Sequence, residues 1–599
     1  MPSVLLQPLG RRTEIEAGET LLDAAQAVGA GLISLCGGEG WCHSCRVRLI
    51  EGALNPPTEA EIEALGGGVC AEGYRLACRA IPWGNVRIEI PPDSLSASQR
   101  LQLEGAESMV AVDPPVVAVD LRLPPPNLAD PRSDATRLQE GLTAQGHSVT
   151  LIGWPVLHEL SSRLRAADWA CRAALRGGEV VAVLPPGERL AGLAVDLGTT
   201  KLAAFLIDLA SGKTLALDGA MNPQIAYGED VISRIAYCGS TRDGRRKLQE
   251  SVVEALNGLV QSLADESGVR PEAVVQAVVV GNTAMHHLFA GLPVEQLGLA
   301  PYVPVVASRL SVPARDLGLR ISPGAVVDFL PNVAGYVGAD HIAVLLATDL
   351  WRHSGTACVA DIGTNTEITL AARGRLLTCS CASGPAFEGA HIRDGMRAAP
   401  GAIEGVRIRD GRPRVAAVGG GRPVGLCGSG ILDAVAEMRA AGILDEGGAM
   451  RPDAPGVRAR DGSLEYLLVE AGDTGHGSEI VVSVRDVREV QLGKAAIRTG
   501  LEALLTEAQI QATDLEAFLL AGAFGSYIHV PSAIRIGMLP DLPLERFRPV
   551  GNAAGAGARQ ALISQASLAS TDEIAERIEY IELTTYPEFQ DLFLASLRL

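Results

Sequence analysis

The phrase AVDLGTT at residues 194–200 is written again, nearly unchanged, as VADIGTN at 359–365. Each copy ends an apolar run, so each reads as a buried strand that turns sharply at a Gly-Thr tip. A separation of about 165 residues is too long for a stacked repeat. It points to a duplicated domain, with one hairpin from each half facing a common cleft. From residue 191 onward, apolar strand-like runs alternate with helical ones, the pattern of α/β architecture. Such tips suit anion binding. Glycine lets backbone N–H groups converge on phosphate oxygens, and the threonine hydroxyls add donors. A carboxylate beside them, Asp196 or Asp361, suits Mg2+ directly or through water. One D-x-G-T alone can be an ordinary β-turn; two behind buried strands argue for a site. No GxxxxGK[ST] loop occurs, so a nucleotide pocket here is of another kind.

Five of the eleven cysteines fall between Cys36 and Cys78. Cys36, Cys42 and Cys45 lie in CGGEGWCHSC with C-x5-C-x2-C spacing. In a reducing compartment a dense group reads as metal ligation rather than disulfides. Zinc sites usually read as two close pairs, whereas a triplet plus one distant cysteine suits a [2Fe–2S] cluster. The fourth ligand is Cys78 or Cys70. Cys78, in the strand-like YRLACRA, is chosen, and Cys70, in an expected loop after three glycines, is left as a free thiol. Gly37, Gly38 and Gly40 let the loop wrap a cluster and bring its amides to the sulfurs.

Around these cysteines the chain predicts a small mixed domain over 1–92. Strands are expected at 3–7, 11–16, 46–52 and 85–92, with a helix over 18–29 capped by Thr20. Residues 93–112 read as a linker, and 113–190 as a small α/β domain without evident chemistry. A chain of 599 residues needs several cores. Its net charge of −19, with no basic run, argues against nucleic acid and against an anionic membrane surface. No secretory signal or membrane span is read, so a cytoplasmic location is expected. His286 and His287 are neighbours, which on a helix point apart, so a shared metal is not expected.

EAGETLLDAA, CGGEGWCHSC and YRLACRA together resemble the [2Fe–2S] ferredoxins of β-grasp fold, with the five-residue first spacing of the adrenodoxin-like branch. The two D-x-G-T phrases resemble the ASKHA superfamily of kinases, Hsp70 and actin, whose two ribonuclease-H-like halves clamp a nucleotide. That resemblance implies an ATP site over 191–599. It assigns Asp196, Gly198, Thr199 and Thr200 to one phosphate loop and Asp361, Gly363, Thr364 and Asn365 to the other. It puts Gly384, Gly428, Gly522 and Gly525 against adenosine and Glu388 at the ribose. Asp340 is expected to activate water or orient Mg2+, or else to be a plain helix N-terminal carboxylate.

With the ferredoxin first and the ASKHA part last, the chain resembles the reductive activators of corrinoid proteins. NPQIAYGEDVISRI, VVVGNTAMHHL, DIGTNTEI and LAGAFGSYI add to the likeness. It implies ATP-dependent delivery of an electron from the [2Fe–2S] cluster to Co(II) corrinoid, giving Co(I). It also implies an external low-potential electron donor, a corrinoid protein as partner and a homodimer. The rival readings are a small-molecule kinase with a ferredoxin module, a dehydratase-activator-type ATPase and a redox-sensing binding module.

Overall fold

A computed structural model describes residues 2–7, 11–16, 18–27, 32, 45–91, 94, 110–228, 230–389, 391–396, 398–409, 411–460, 462–525 and 527–599. Cys36, Cys42 and most of the 93–112 stretch lie outside the described residues.

The N-terminal unit is a five-stranded sheet in the order Arg11–Glu14, Ser3–Gln7, Val86–Glu89, Arg46–Glu51, Tyr74–Leu76. The first and last strands in sequence, Ser3–Gln7 and Val86–Glu89, pair in parallel at its centre, while the hairpins to either side are antiparallel. The helix Leu21–Ala27 begins as the sequence expects, because the Asp23 amide donates to the Thr20 hydroxyl and the Thr20 amide donates back to Asp23. Leu21, Leu22 and Ala25 enter a core with Val4, Leu6, Val47 and Ile88. Sequence reading missed a second helix, Glu59–Leu65, closed by a capping box between Thr58 and Glu61. Glu61 is fully buried and takes a forked ion pair from Arg75, whose Nε lies 2.9 Å away. Burial pushes the Glu61 carboxyl up, but bonds from Arg75, Thr58 and Leu76 outweigh it and hold the pKa below the usual value. Cys70 lies on a short helix, Gly67–Ala71, rather than in the expected loop.

Residues 116–184 form a four-stranded sheet with two helices, Asp134–Ala144 and Trp154–Ala166, around their own core. Arg176 of this unit reaches the buried Asp328 of the next at 2.5 Å.

The duplication predicted from the repeated phrase is visible in the topology. In the first half, Ala191–Leu197, Lys201–Asp208 and Thr214–Met221 form an antiparallel meander. Val274–Val280 then pairs in parallel with the first of them, and Val326–Phe329 in parallel with that. The second half repeats the order with Ala357–Ile362, Thr366–Ala372, Arg375–Cys381, Ala517–Ala521 and Phe547–Gly551. All seven residues of Val274–Val280 and all five of Ala517–Ala521 are buried. Apart from Gln276, whose amide donates to Asp328, these are the continuous apolar runs required of a strand covered on both faces. The helix Ala553–Ile563 follows the second half in sequence but packs into the core of the first. It crosses the helix Ala339–Thr348 so closely that a Cβ on Gly557 would sit 2.0 Å from the Ala343 carbonyl oxygen. Only glycine fits there, which explains the small-residue run GNAAGAGA.

Candidate functional site: two phosphate loops, a carboxylate cluster and a buried thiol pair

Both D-x-G-T tips sit where a central strand leaves its sheet, beside the end of a parallel neighbour. Asp196 pairs with Val280, and Asp361 with Ala521. The carboxyl ends of such strands are the usual ligand position of open α/β sheets. The first tip is tight: a Cβ on Gly198 would lie 2.6 Å from the Lys201 carbonyl oxygen. Its carbonyls are held from behind. Asn222 Nδ2 donates to Gly198 O at 2.9 Å, and the Arg234 guanidinium donates to Thr199 O at 2.6 Å. Because a trans peptide points its N–H opposite its C=O, the amides of Thr199 and Thr200 are turned the other way. The second tip uses the same device with a different side chain. The Ser383 hydroxyl lies 3.1 Å from Gly363 O and 3.3 Å from Thr364 O, which turns out the amides of Thr364 and Asn365. Two nests of backbone donors result, one per half.

Glu388, expected at a ribose, lies between the two tips and accepts from both Thr200 and Thr364, the former at 3.0 Å. Of the four glycines expected at adenosine, Gly384 has nothing within 4 Å of where a Cβ would be. The other three have packing reasons to be glycine. A Cβ on Gly428 would overlap the Phe387 carbonyl, and one on Gly525 would press on the Leu520 backbone at 3.1 Å. At Gly522, where φ is +83°, it would lie 2.7 Å from the Asp361 carboxylate.

Four carboxyl groups share the cleft. Asp196 and Asp361 open the two tips, and Asp340 stands in the first turn of Ala339–Thr348. Glu367, directly across the hairpin from Asp361, was missed by sequence reading. Burial pushes each one up, and repulsion from neighbouring carboxyls adds to it for Asp340, Asp361 and Glu367. Asp340 is raised to about 8 by burial and then by Asp361 and Asp196. Asp361 is raised to about 7 by burial and Asp196. Asp196 reaches about 6, burial outweighing a hydrogen bond from Asn552. Glu367 is raised by burial, Asp340 and Asp361, although Ser380 donates to it at 3.1 Å. Among the described residues, no group of three or more His, Cys, Asp or Glu side chains forms a metal cage by itself. The cluster instead suits Mg2+, which keeps several waters and binds one or two carboxylates together with ligand phosphates.

A carboxyl whose pKa rises on folding leaves stability intact below its unfolded value near 4 and withdraws it as pH climbs through the folded value. The thermal midpoint of the nucleotide-free, Mg2+-free protein is therefore expected to fall between pH 5 and pH 8.5. Asp340→Asn should flatten that profile and stabilise the protein at pH 8 by about 1–3 kcal/mol. A differential scanning pH series in EDTA checks this.

At the N-terminal unit, Cys45 Sγ and Cys78 Sγ lie 3.4 Å apart, both buried and neither in a disulfide. Cys78 occupies the turn just after the strand Tyr74–Leu76. Two reduced, converging thiols fit a shared iron centre. Cys70 points elsewhere, its Sγ 3.8 Å from the Glu61 carbonyl. Three further cysteines, Cys358, Cys379 and Cys381, are fully buried in the second half's sheet. Burial raises Cys358, while a bond from Cys381 and then burial raise Cys379, so Cys358 and Cys379 are poor ligands. His286 and His287 lie in the first half's interior, where His287 bonds the Thr283 carbonyl and accepts from the Val305 amide.

Besides Glu367, sequence reading gave no role to Asn222, Arg234, Ser383 or Asn552, whereas the turn Gly281-Asn282-Thr283 is readable there as a cleft loop. Asn282 caps the helix Thr283–Phe289 and donates to the Thr199 hydroxyl at 2.9 Å. A signal for Glu367 was present: a lone ionisable side chain in the strand-like run TEITLAA needs a reason to be there.

The geometry agrees with what the chain is similar to. The 2Fe-2S iron-sulfur cluster binding domain matches residues 4–82. The RACo linker region matches 105–189, the RACo middle region 191–353, and the C-terminal domain of RACo, the ASKHA domain, 355–599. The corrinoid activation enzyme RamQ of Eubacterium limosum is 31% identical over 99% of this chain and 98% of its own. The [Co(II) methylated amine-specific corrinoid protein] reductase of Methanosarcina barkeri is 26% identical over 68% of this chain and 76% of its own. A solved reductive activator for corrinoid,iron-sulfur protein superposes with a TM-score of 0.74 at 34% identity, covering 100% of this chain and 98% of that one. With a ferredoxin unit in front and a duplicated ASKHA-type cleft behind, matched from end to end, the chain belongs to the family of reductive activators of corrinoid proteins.

Proposed function

We propose that the chain uses ATP to drive one electron from a [2Fe–2S] cluster onto the Co(II) of a corrinoid protein, giving Co(I). The observation that carries this reading is the presence, in one chain, of a converging pair of buried reduced thiols and a cleft with two phosphate nests around four carboxyls. Cys36, Cys42, Cys45 and Cys78 would hold the cluster, which when bound supplies one-electron transfer at low potential. The electron enters from an external low-potential donor and leaves to cobalt, so the step balances with one electron in and one out.

The cleft residues do the rest. The amides of Thr199, Thr200, Thr364 and Asn365 bind phosphate oxygens, and the threonine hydroxyls now shared by Glu388 are available to them. Asp196 and Asp361 take Mg2+, and Asp340 orients the water in its shell. Cations and phosphates arriving together relieve the repulsion that holds the carboxyls above their ordinary range. Binding therefore favours the arrangement in which both halves contact the same ligand. That preference is what ATP contributes, because a ligand shifts a conformational equilibrium only by its differential affinity for the two states. Among the described residues no helix is long and apolar enough to cross a membrane. We place the activator in the cytoplasm, acting as a homodimer on its corrinoid partner.

The test is optical. Purified, reduced protein is mixed with a Co(II) corrinoid protein, and the Co(II) absorbance is followed. Loss of that band should require both the reductant and Mg-ATP; a rate indifferent to ATP contradicts the reading.

A further inference from the structure

The segment NPQIAYGEDVISRI has a specific task in the structure. It carries Asn222 and Arg234, the two side chains that grip the first phosphate tip from behind. Arg234 is 0% exposed. Its guanidinium donates to Thr199 O at 2.6 Å, Gly228 O at 2.9 Å, Gln224 Oε1 at 3.2 Å and Met285 S at 3.1 Å. All four partners are neutral. The charge that offsets it is Asp230, which caps the helix Val231–Ser240 by accepting from the Ser233 amide at 2.7 Å. Burial lowers the Arg234 guanidinium to about 10, which still leaves it charged at neutral pH.

The second tip offers the contrast. Its carbonyls are held by the neutral hydroxyl of Ser383. The two halves therefore orient their nests by the same geometry but with different charge. A buried cation bonded to the carbonyl side of a peptide polarises that peptide and lends positive potential to the amide on its other side. A buried guanidinium whose partners are all neutral is costly to keep, and a plain carbonyl clamp needs no charge, as Ser383 demonstrates.

We infer that Arg234 is a positioning residue that makes the first loop the charge-reading side of the cleft, so that the protein ranks nucleotides by their number of phosphates. The inference rests on the nucleotide reading above and deepens it: the ligand class is a nucleoside triphosphate, selected over mono- and diphosphates. Arg234 does not touch the nucleotide. It acts through the Thr199–Thr200 peptide.

The experiment compares dissociation constants for ATP, ADP and AMP, measured calorimetrically without Mg2+, in wild type, Arg234→Met, Arg234→Lys and Asp230→Asn. Arg234→Met should weaken ATP by about ten-fold or more and ADP by less, while AMP stays unchanged. Arg234→Lys should keep most of the preference. Asp230→Asn removes the offsetting charge but keeps a capping oxygen, so it should strengthen ATP relative to AMP. A purely structural clamp moves all three nucleotides by the same factor in Arg234→Met and leaves the Asp230→Asn ratio at its wild-type value; that result overturns the inference. If Arg234→Met does not fold, Asp230→Asn, at a half-exposed position, decides alone. Wild-type protein that binds AMP as tightly as ATP overturns this inference only. If wild type binds only once Mg2+ is added, the same ratios are read with Mg2+ present; wild-type protein that binds none of the three with or without Mg2+ overturns the nucleotide reading with it.

Discussion

Replacing Cys78 by serine is expected to abolish electron delivery to cobalt, by about a thousand-fold or more, while leaving ATP affinity at its wild-type value. Cys45 and Cys78 lie only 3.4 Å apart, close enough to share one iron centre. Iron–sulfur centres need thiolate ligands, and a serine hydroxyl is a harder, far less acidic donor that does not replace one. Cys78 is 6% exposed and Cys45 1%, so lost ligation is not made good by solvent. Iron content and visible absorbance should fall with activity. ATP affinity should hold, because the N-terminal unit has its own hydrophobic core, separate from the two that frame the cleft. Cys70→Ser is the control. Its thiol points at the Glu61 carbonyl, and its loss should leave iron content unchanged. A Cys78→Ser protein that reduces Co(II) at the normal rate would contradict the ligand assignment.

Asp361→Asn should give the opposite phenotype: an intact cluster and a loss of ATP stimulation of about 10²–10³-fold, as expected for an electrostatic group at a phosphate site. Asp361 is the hub of the cleft. Glu367 faces it across the hairpin, its charge acts on Asp340, and Gly522 is kept free of a side chain to make room for it. Asparagine has nearly the same shape, so the packing against Gly522 survives and the lost quantity is charge. Removing one of several like charges also relieves repulsion, so the nucleotide-free variant should melt at a higher temperature than wild type above pH 7 even as it loses function. Higher stability with lower activity separates a functional carboxylate from a structural one. A variant that keeps ATP stimulation within a few fold would remove Asp361 from the mechanism.

Much of this was legible in the sequence because it is written in local patterns. The repeated D-x-G-T phrase foretold two hairpins and a shared cleft, and five strands of each large sheet follow the same order. The alternation of RVRLIEG and the Thr20 cap gave the ferredoxin strands and first helix. What escaped was of two kinds. One was the contact between distant segments: Arg234 beneath Thr199, Asn552 on Asp196 and Ser383 behind Gly363 are separated by 20 to several hundred residues and leave no periodic trace. The other was the glycine with two explanations. Gly428 and Gly522 read as room for adenosine, and the fold adds a second reason for each, because a Cβ there would meet the Phe387 carbonyl or the Asp361 carboxylate. Sequence shows that a side chain is absent, not what fills the space. The bonds of Glu388 to Thr200 and Thr364 were likewise not legible, since they depend on both halves folding together.

In the proposed reaction ATP sends one electron from a two-iron centre to cobalt within one complex. Electron paramagnetic resonance of a single turnover tests it most directly: dithionite-reduced protein, freed of excess reductant, is frozen with one equivalent of Co(II) corrinoid protein before and after Mg-ATP is added. The reduced-cluster signal and the Co(II) signal should disappear together, in equal amounts, only after ATP. Persistence of both signals with ATP present, or their full loss without it, would contradict it.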